Sequence, residues 1–263
     1  MKINILGAGN VASHLASAFR GAGHSMSIWN RSEESLRPLV EEGHLCTTNM
    51  EELPVDADLV IISVKDSAVR EVAKQLASVV AGTNIIVVHT AGSLSIDELR
   101  PLFGQCGVLY PMQTFTKSKA LDYSKIPFFI EGSDTVLKTL RDALAPVSQN
   151  VFVADSSKRK MLHLASVFAC NFVNHNIAIA CNILDKAGLP SSSLLPLIAE
   201  TVEKLECCSP VEAQTGPAVR EDYNIIAEHL NLLDAFPEER KIYEMETKSI
   251  IEYKNEHLKG NTK

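Results

Sequence analysis

Lys2-Ile3-Asn4-Ile5-Leu6-Gly7-Ala8-Gly9-Asn10-Val11-Ala12 decides the fold. The apolar run 3–6 reads as a short strand, and residues 11–20 have helical spacing. Between them stands Gly-x-Gly-x-x-Ala. Gly7 permits a tight turn, Gly9 lets backbone N–H groups approach a pyrophosphate, and Ala12 is small enough for close helix packing. The helix N-terminus then turns its positive end toward the phosphates. Alone, the pattern also describes a tight turn without a ligand. At the first strand of an alternating chain it is a dinucleotide fingerprint. Gly7, Ala8, Gly9, Asn10 and Val11 are therefore candidate coenzyme-binding residues.

The alternation continues outward. Strands are expected at 25–29, 59–64, 85–88, 107–109, 127–130 and 151–153, and helices at 32–42 and 67–80. Apolar runs without polar alternation suit parallel strands covered on both faces. The expected fold class is α/β, a doubly wound, mostly parallel Rossmann sheet over residues 1–154. After Asp155 the strand signals stop. Helices are expected at 158–187, ended by Gly188 and Pro190, and at 191–206, 225–233 and 237–256. Residues 155–263 thus read as a second, all-α domain, with 259–263 expected to fray.

Composition narrows the function. With 46% hydrophobic residues and a mean hydropathy of +0.05, the chain can build a core and is not disordered. Lys+Arg number 25 against 32 Asp+Glu, a net charge of -7, so neither nucleic acid nor an anionic membrane is an expected partner. The longest apolar stretch, 164–184, carries Asn171, Asn174, His175, Asn176 and Asn182, too many polar groups for a bilayer span. Residues 1–6 are too short for the core of a secretory leader. Six cysteines without a Cys-x-x-Cys pair read as reduced thiols of a cytoplasmic protein.

The second strand ends at Asn30-Arg31-Ser32, where an NAD site would want a carboxylate for the ribose hydroxyl. Arg31 offers a guanidinium for a 2′-phosphate, with Asn30 and Ser32 as neutral donors, which points to NADP. The alternative leaves Ser32 as a helix cap and Arg31 in solvent. Ligands of this fold sit beyond the carboxyl ends of the strands. That edge receives Ser63-Val64-Lys65-Asp66, His89-Thr90-Ala91-Gly92-Ser93 and Tyr110-Pro111-Met112-Gln113-Thr114-Phe115. Ser63, Val64 and Lys65 are candidates for the coenzyme, Gln113 and Thr114 for substrate, and His89 for a catalytic hydrogen bond or a structural one.

On the helix 158–187, even winding of about 100° per residue puts Lys160, His163, Asn171 and Asn174 within an arc of about 80°. Such a polar stripe reads either as a substrate pocket or as hydrogen bonding between helices. Hydride transfer to a carbonyl or imine needs a proton donor, and His163 or Lys160 fits that role while Asn171 holds the acceptor atom. In Thr215-Gly216-Pro217-Ala218-Val219-Arg220-Glu221-Asp222, Arg220 suits a carboxylate in forked geometry with Asp222 orienting it, or a plain interhelical salt bridge.

These motifs together resemble an uncharacterised family of Rossmann-like proteins in the wider 6-phosphogluconate dehydrogenase superfamily, with pyrroline-5-carboxylate reductase and ketopantoate reductase as more distant relatives. The resemblance runs over nearly the whole chain and is most specific at Thr215-Gly216-Pro217 with Arg220 and Asp222. It implies an NADP-binding domain, a helical domain that builds a homodimer, and reductase chemistry on a small carboxylate-bearing substrate, ketopantoate-like reduction included. Three positions depart from it. Tyr110 stands where such proteins tend to have His, and Glu221 stands where Gly is usual. Lys160 is followed four residues on by Leu164 rather than Asn. The competing expectations are a non-catalytic NADP sensor and a structural dimer with a vestigial site.

Overall fold

The computed structural model describes residues 1–116 and 119–260. Eight strands form one sheet in the order β3-β2-β1-β4-β5-β6-β7-β8. They are β1 (Lys2–Leu6), β2 (Ser25–Trp29), β3 (Leu45–Thr47), β4 (Leu59–Ile62), β5 (Ile86–His89), β6 (Cys106–Pro111), β7 (Phe128–Gly132) and β8 (Val151–Val153). Every pairing is parallel except β6 with β7. The expected doubly wound, mostly parallel sheet is therefore present. β3 escaped the sequence reading because it is a three-residue edge strand without a fully buried residue.

Helices cover both faces. Alternate residues of each strand serve opposite layers, as the period of two requires. Ile3, Ile5, Leu59, Ile61 and Val88 pack with α1 (Asn10–Gly21), α2 (Glu33–Glu41) and α4 (Asp134–Leu144). Leu6, Val60, Ile62 and Val87 pack with α3 (Val69–Val79). Sequence reading had not named α4, although Ser133 caps it and Val136, Leu140, Ala143 and Leu144 make its buried stripe. Ala12 and Ala16 are buried on α1, and small side chains there suit close packing of the first helix on the sheet.

The chain forms two compact units, Met1–Cys170 and Asn171–Lys263. The first holds the sheet and α5 (Ser156–Ser166), capped by Asp155, whose carboxylate accepts from the Lys158 N–H at 2.8 Å. Among its described residues the second has helices and no strand. It contains α6 (Val173–Lys186), α7 (Leu195–Glu203), α8 (Pro210–Ala213), α9 (Pro217–Arg220), α10 (Tyr223–Leu232) and α11 (Pro237–Gly260). Of the tail expected to fray, residues 261–263 lie outside the described residues, and α11 runs to Gly260.

A helix is found where 158–187 reads as one, but it is not evenly wound. Residues Val167–Phe172 are π-helical. A π turn takes up an extra residue, so the even step of about 100° fails across this stretch. The single polar stripe drawn from that step loses its geometric basis. Ser156–Lys186 is long and apolar enough to cross a bilayer by length and composition. Its apolar side chains include Phe168 and Phe172, both exposed.

Candidate functional site

The glycine turn is built as the sequence requires. Gly7 has φ +126° and its N–H donates to the Trp29 carbonyl at 2.7 Å. A Cβ on Gly7 would stand 2.1 Å from the Ser63 carbonyl oxygen, so only glycine fits. Gly9 is the N-cap of α1 and gives it no side-chain cap, while the space where its Cβ would lie is empty to 4 Å. Intrahelical bonding begins with the Ser13 N–H to the Gly9 carbonyl at 2.9 Å. The N–H groups before it form an uncapped, open, electropositive helix end. Such a cradle fits a pyrophosphate. Ala8 is buried beside it, and the Asn10 side chain donates to the Phe115 carbonyl at 2.8 Å, tying the loop after β6 to α1.

Next to this turn lies the end of β2, since Leu6 is in register with Trp29. Asn30 donates to the Ser32 carbonyl at 3.1 Å, and the Ser32 hydroxyl caps α2 by accepting from the Ser35 N–H at 3.4 Å. Ser32 therefore takes the capping role that the sequence left as an alternative. Arg31 is exposed and joins no ion pair among the described residues. No carboxylate precedes Glu33 at this strand end. A guanidinium without a partner, on the rim beside the cradle, suits a phosphate monoester on the adenosine ribose.

The other half of the edge is made by the ends of β4, β5 and β6. Ser63 is buried, and its hydroxyl accepts from Thr90 at 3.2 Å. Val64 is half-buried against the Gly7 turn, and Lys65 is exposed. Ser93 donates to Asp66, which locks the loop after β5 to the loop after β4. Gly92 is buried between two rings: a Cβ there would lie 2.9 Å from Tyr110 Cε2 and 3.1 Å from His163 Nδ1. The Tyr110 and His163 rings meet edge to face, with centroids 6.4 Å apart. Ser166 lies beside the Tyr110 phenol, and burial pushes the phenol pKa above the ordinary range. Neither Tyr110 nor Ser166 was singled out as a site residue from sequence; the one signal was that Tyr110 departs from the His of the resembling family.

His89 ends β5. Its ring is completely buried. Nδ1 accepts from the Ala91 N–H at 3.2 Å, so the ring proton sits on Nε2 and is donated to the Ser95 carbonyl at 3.3 Å. Burial holds its pKa down at about 4. With both nitrogens committed to the backbone, His89 shapes the 91–95 loop and has no atom left for a ligand. The Gln113 side-chain oxygen accepts from the Thr114 N–H at 2.8 Å, and both residues are exposed.

Arg159 was missed by the sequence reading. It is fully buried and pairs with Glu131 of β7. It also donates to the Leu94 carbonyl and, at 3.3 Å, to the Ser156 hydroxyl. Ser156 in turn donates to Glu131 at 2.9 Å and accepts from the Ile96 N–H at 3.1 Å. This network pins the start of α5, one turn before His163, to the loop that carries Gly92. Within Ser156-Ser157-Lys158-Arg159-Lys160 nothing marks Arg159 as the buried residue. Lys160, its neighbour, is exposed.

In the second unit, Asn171 is exposed within the π-helical stretch. Arg220 ends α9, is exposed, and joins no ion pair among the described residues. The expected Asp222–Arg220 contact is replaced by capping: Asp222 accepts from the Ile225 N–H at the start of α10, at 3.4 Å. Glu221 between them has φ +56°, the left-handed conformation that explains why glycine is usual there. Its carboxylate is held by Lys254 at 3.2 Å, and Lys254 also donates to the Val219 carbonyl at 2.8 Å.

Residues 2–104 match the family described as NADP oxidoreductase, coenzyme F420-dependent, and residues 126–250 match a domain of unknown function, DUF2520. A Bacteroides fragilis protein, assigned as an NADP oxidoreductase and solved by crystallography, is 41% identical, with a TM-score of 0.87 over 95% of this chain and 98% of that one. An imine reductase from Myxococcus stipitatus, solved with NADP+, shares the fold at 16% identity, with a TM-score of 0.68 over 99% of this chain and 95% of that one. An NAD(P)+ glycerol-3-phosphate dehydrogenase from Thermoanaerobacter sp. (strain X514) is 29% identical over 113 residues, 38% of this chain. That match spans about a third of the relative's own length, 34%. The Rossmann sheet, the glycine cradle and 41% identity along almost the full length of both chains place the protein in the NADP oxidoreductase family to which the Bacteroides fragilis enzyme is assigned.

Proposed function

We propose that the protein binds NADPH at the glycine turn and reduces the C=O or C=N bond of a small carboxylate-bearing substrate, ketopantoate-like reduction being one form. The observation that carries this reading is the cradle itself: Gly7 pressed on the Ser63 carbonyl, and an uncapped α1 N-terminus open beside it. The bound coenzyme supplies the hydride. The N–H groups of the first turn of α1 hold the pyrophosphate, and Arg31 holds the 2′-phosphate with Asn30 at its side. Ser63, Val64 and Lys65 border the nicotinamide half. His163, Lys160 and Asn171 are the catalytic candidates, and Gln113 and Thr114 the substrate-binding candidates. Arg220, in no ion pair among the described residues, offers the guanidinium a substrate carboxylate needs.

Residues 1–154 then serve the coenzyme and 155–263 the substrate and assembly. We propose a homodimer built through the helical part. Exposed Leu195, Leu197, Val202 and Leu232 support this, since such apolar surface is usually covered in solution. A cytoplasmic location supplies reduced coenzyme and keeps the thiols reduced.

The test is a fluorescence titration of NADPH and NADH on wild type and Arg31→Ala. NADPH should bind tighter, and Arg31→Ala should weaken NADPH by about 10- to 100-fold while sparing NADH, the value of one charge-assisted contact. Preference for NADH would overturn the coenzyme assignment. A panel of keto and imino acids with His163→Ala and Asn171→Ala then tests the site: binding with no turnover of any acid would favour a sensor.

A further inference from the structure

We propose that Tyr110 is the residue that protonates the acceptor oxygen or nitrogen during hydride transfer. The inference rests on the reductase reading above and adds a catalytic residue to it.

Register places Tyr110 on the right rim. Leu6 is level with Ile62, Ile62 with His89, and His89 with Val108. Tyr110 therefore stands two residues beyond the level at which β1 becomes the glycine turn. It lies three strands away from that turn, about 14 Å at ordinary strand spacing. The carboxyl ends of parallel strands are where this fold binds ligands.

Its surroundings fix the ring and keep its proton. Gly92 and His163 hold the ring on two sides. Ser166, whose own proton goes to the Leu162 carbonyl at 2.8 Å, lies beside the phenol. The charged and titratable groups facing Tyr110 are Asp66 from the loop after β4, and Arg159 and His163 from α5. Burial and Asp66 raise the phenol pKa, while Ser166 and Arg159 lower it, and burial dominates. At neutral pH the group is an acid with a proton to give.

The other groups on this rim are poorly suited. Both nitrogens of His89 are committed to the backbone. Asp66 accepts from Ser93. Arg159 does not release a proton in proteins. Lys65 and Lys160 are exposed. Tyr110 is half-buried and oriented, which a positioned acid requires.

As the acceptor carbon gains the hydride, the π pair of C=O or C=N moves onto the heteroatom and bonds the phenolic proton. The O–H pair stays on Tyr110 as phenolate. The phenolate regains a proton from water by way of the exposed His163 imidazole.

The test reads Tyr110 without needing a substrate. The five tyrosines are replaced by 3-fluorotyrosine, whose phenol ionises at lower pH, and followed by 19F NMR in the NADPH and NADP+ complexes. The resonance lost in Tyr110→Phe, or in Tyr110→His should the first fail to fold, is Tyr110. Its titration midpoint should fall by about one pH unit when NADP+ replaces NADPH. That is the effect of a unit positive charge within about 10 Å at an effective dielectric constant of about 20. The other four should not move. Equal midpoints in two saturated complexes overturn the proposal. Failure of either coenzyme to bind overturns the reductase reading, and this inference with it. With any substrate that turns over, Tyr110→Phe should lower kcat about 100- to 10,000-fold and leave the KM for NADPH unchanged.

Discussion

Replacing Arg159 by Met tests the network beneath the site. The guanidinium is fully buried, and its partner Glu131 has a side chain only 13% exposed. Met keeps much of the volume but strands a carboxylate in a nearly dry place and leaves the Leu94 carbonyl without its donor. Removing one partner of a buried pair costs about 3–5 kcal/mol. For a chain of this size that is a fall in Tm of about 6–20 °C. Trp29, the single tryptophan, is buried in β2 and reports unfolding of the first unit by its fluorescence. The double variant Arg159→Met with Glu131→Gln removes both charges and should recover a large part of the loss, because a neutral pair carries no uncompensated ion. A fall below about 1 kcal/mol in the single variant, or no recovery in the double one, would refute the picture of a desolvated pair holding α5 to the 94–96 loop.

His89 sets a pH dependence. Unfolded, it binds a proton near pH 6.5; folded, only near pH 4. Between these values the unfolded chain holds more protons, so this contribution to stability rises with pH. It costs about 3 kcal/mol in full below pH 4 and vanishes above pH 6.5. Urea denaturation from pH 4 to 7 should show that slope, and His89→Gln should flatten it while lowering stability throughout, since the Ala91 and Ser95 backbone groups are then less well paired. Glu221→Gly relieves a left-handed residue, worth about 1–2 kcal/mol, and loses a half-exposed ion pair to Lys254, worth about 0–1 kcal/mol. The net expectation is a slightly raised Tm, and a clear fall would show that the Lys254 contact outweighs the strain.

The alternation of strands and helices was readable because each element carries its own periodicity, and the glycine turn because its chemistry is local. Gly7 is required by a carbonyl one strand away, yet the sharp turn that brings the chain there is written in adjacent residues. Arg31 was legible as a strand-end cation. Lys160, His163 and Asn171 were grouped by assuming even winding, and the π-helical stretch Val167–Phe172 removes that assumption. Sequence periodicity does not register a single extra residue in a turn.

What the chain's order determined by itself is the sheet-forming first part, its coenzyme cradle and the helical remainder, since these follow from steric limits and apolar spacing among near neighbours. The tertiary structure alone decided which polar residues are buried and paired. Arg159 meets Glu131 across 28 positions and Leu94 across 65, and Tyr110 meets His163 only once β6 and α5 are in place. Burial changes what a polar group can do by withdrawing water from it. That withdrawal depends on residues distant along the chain, so one stretch read alone cannot report it.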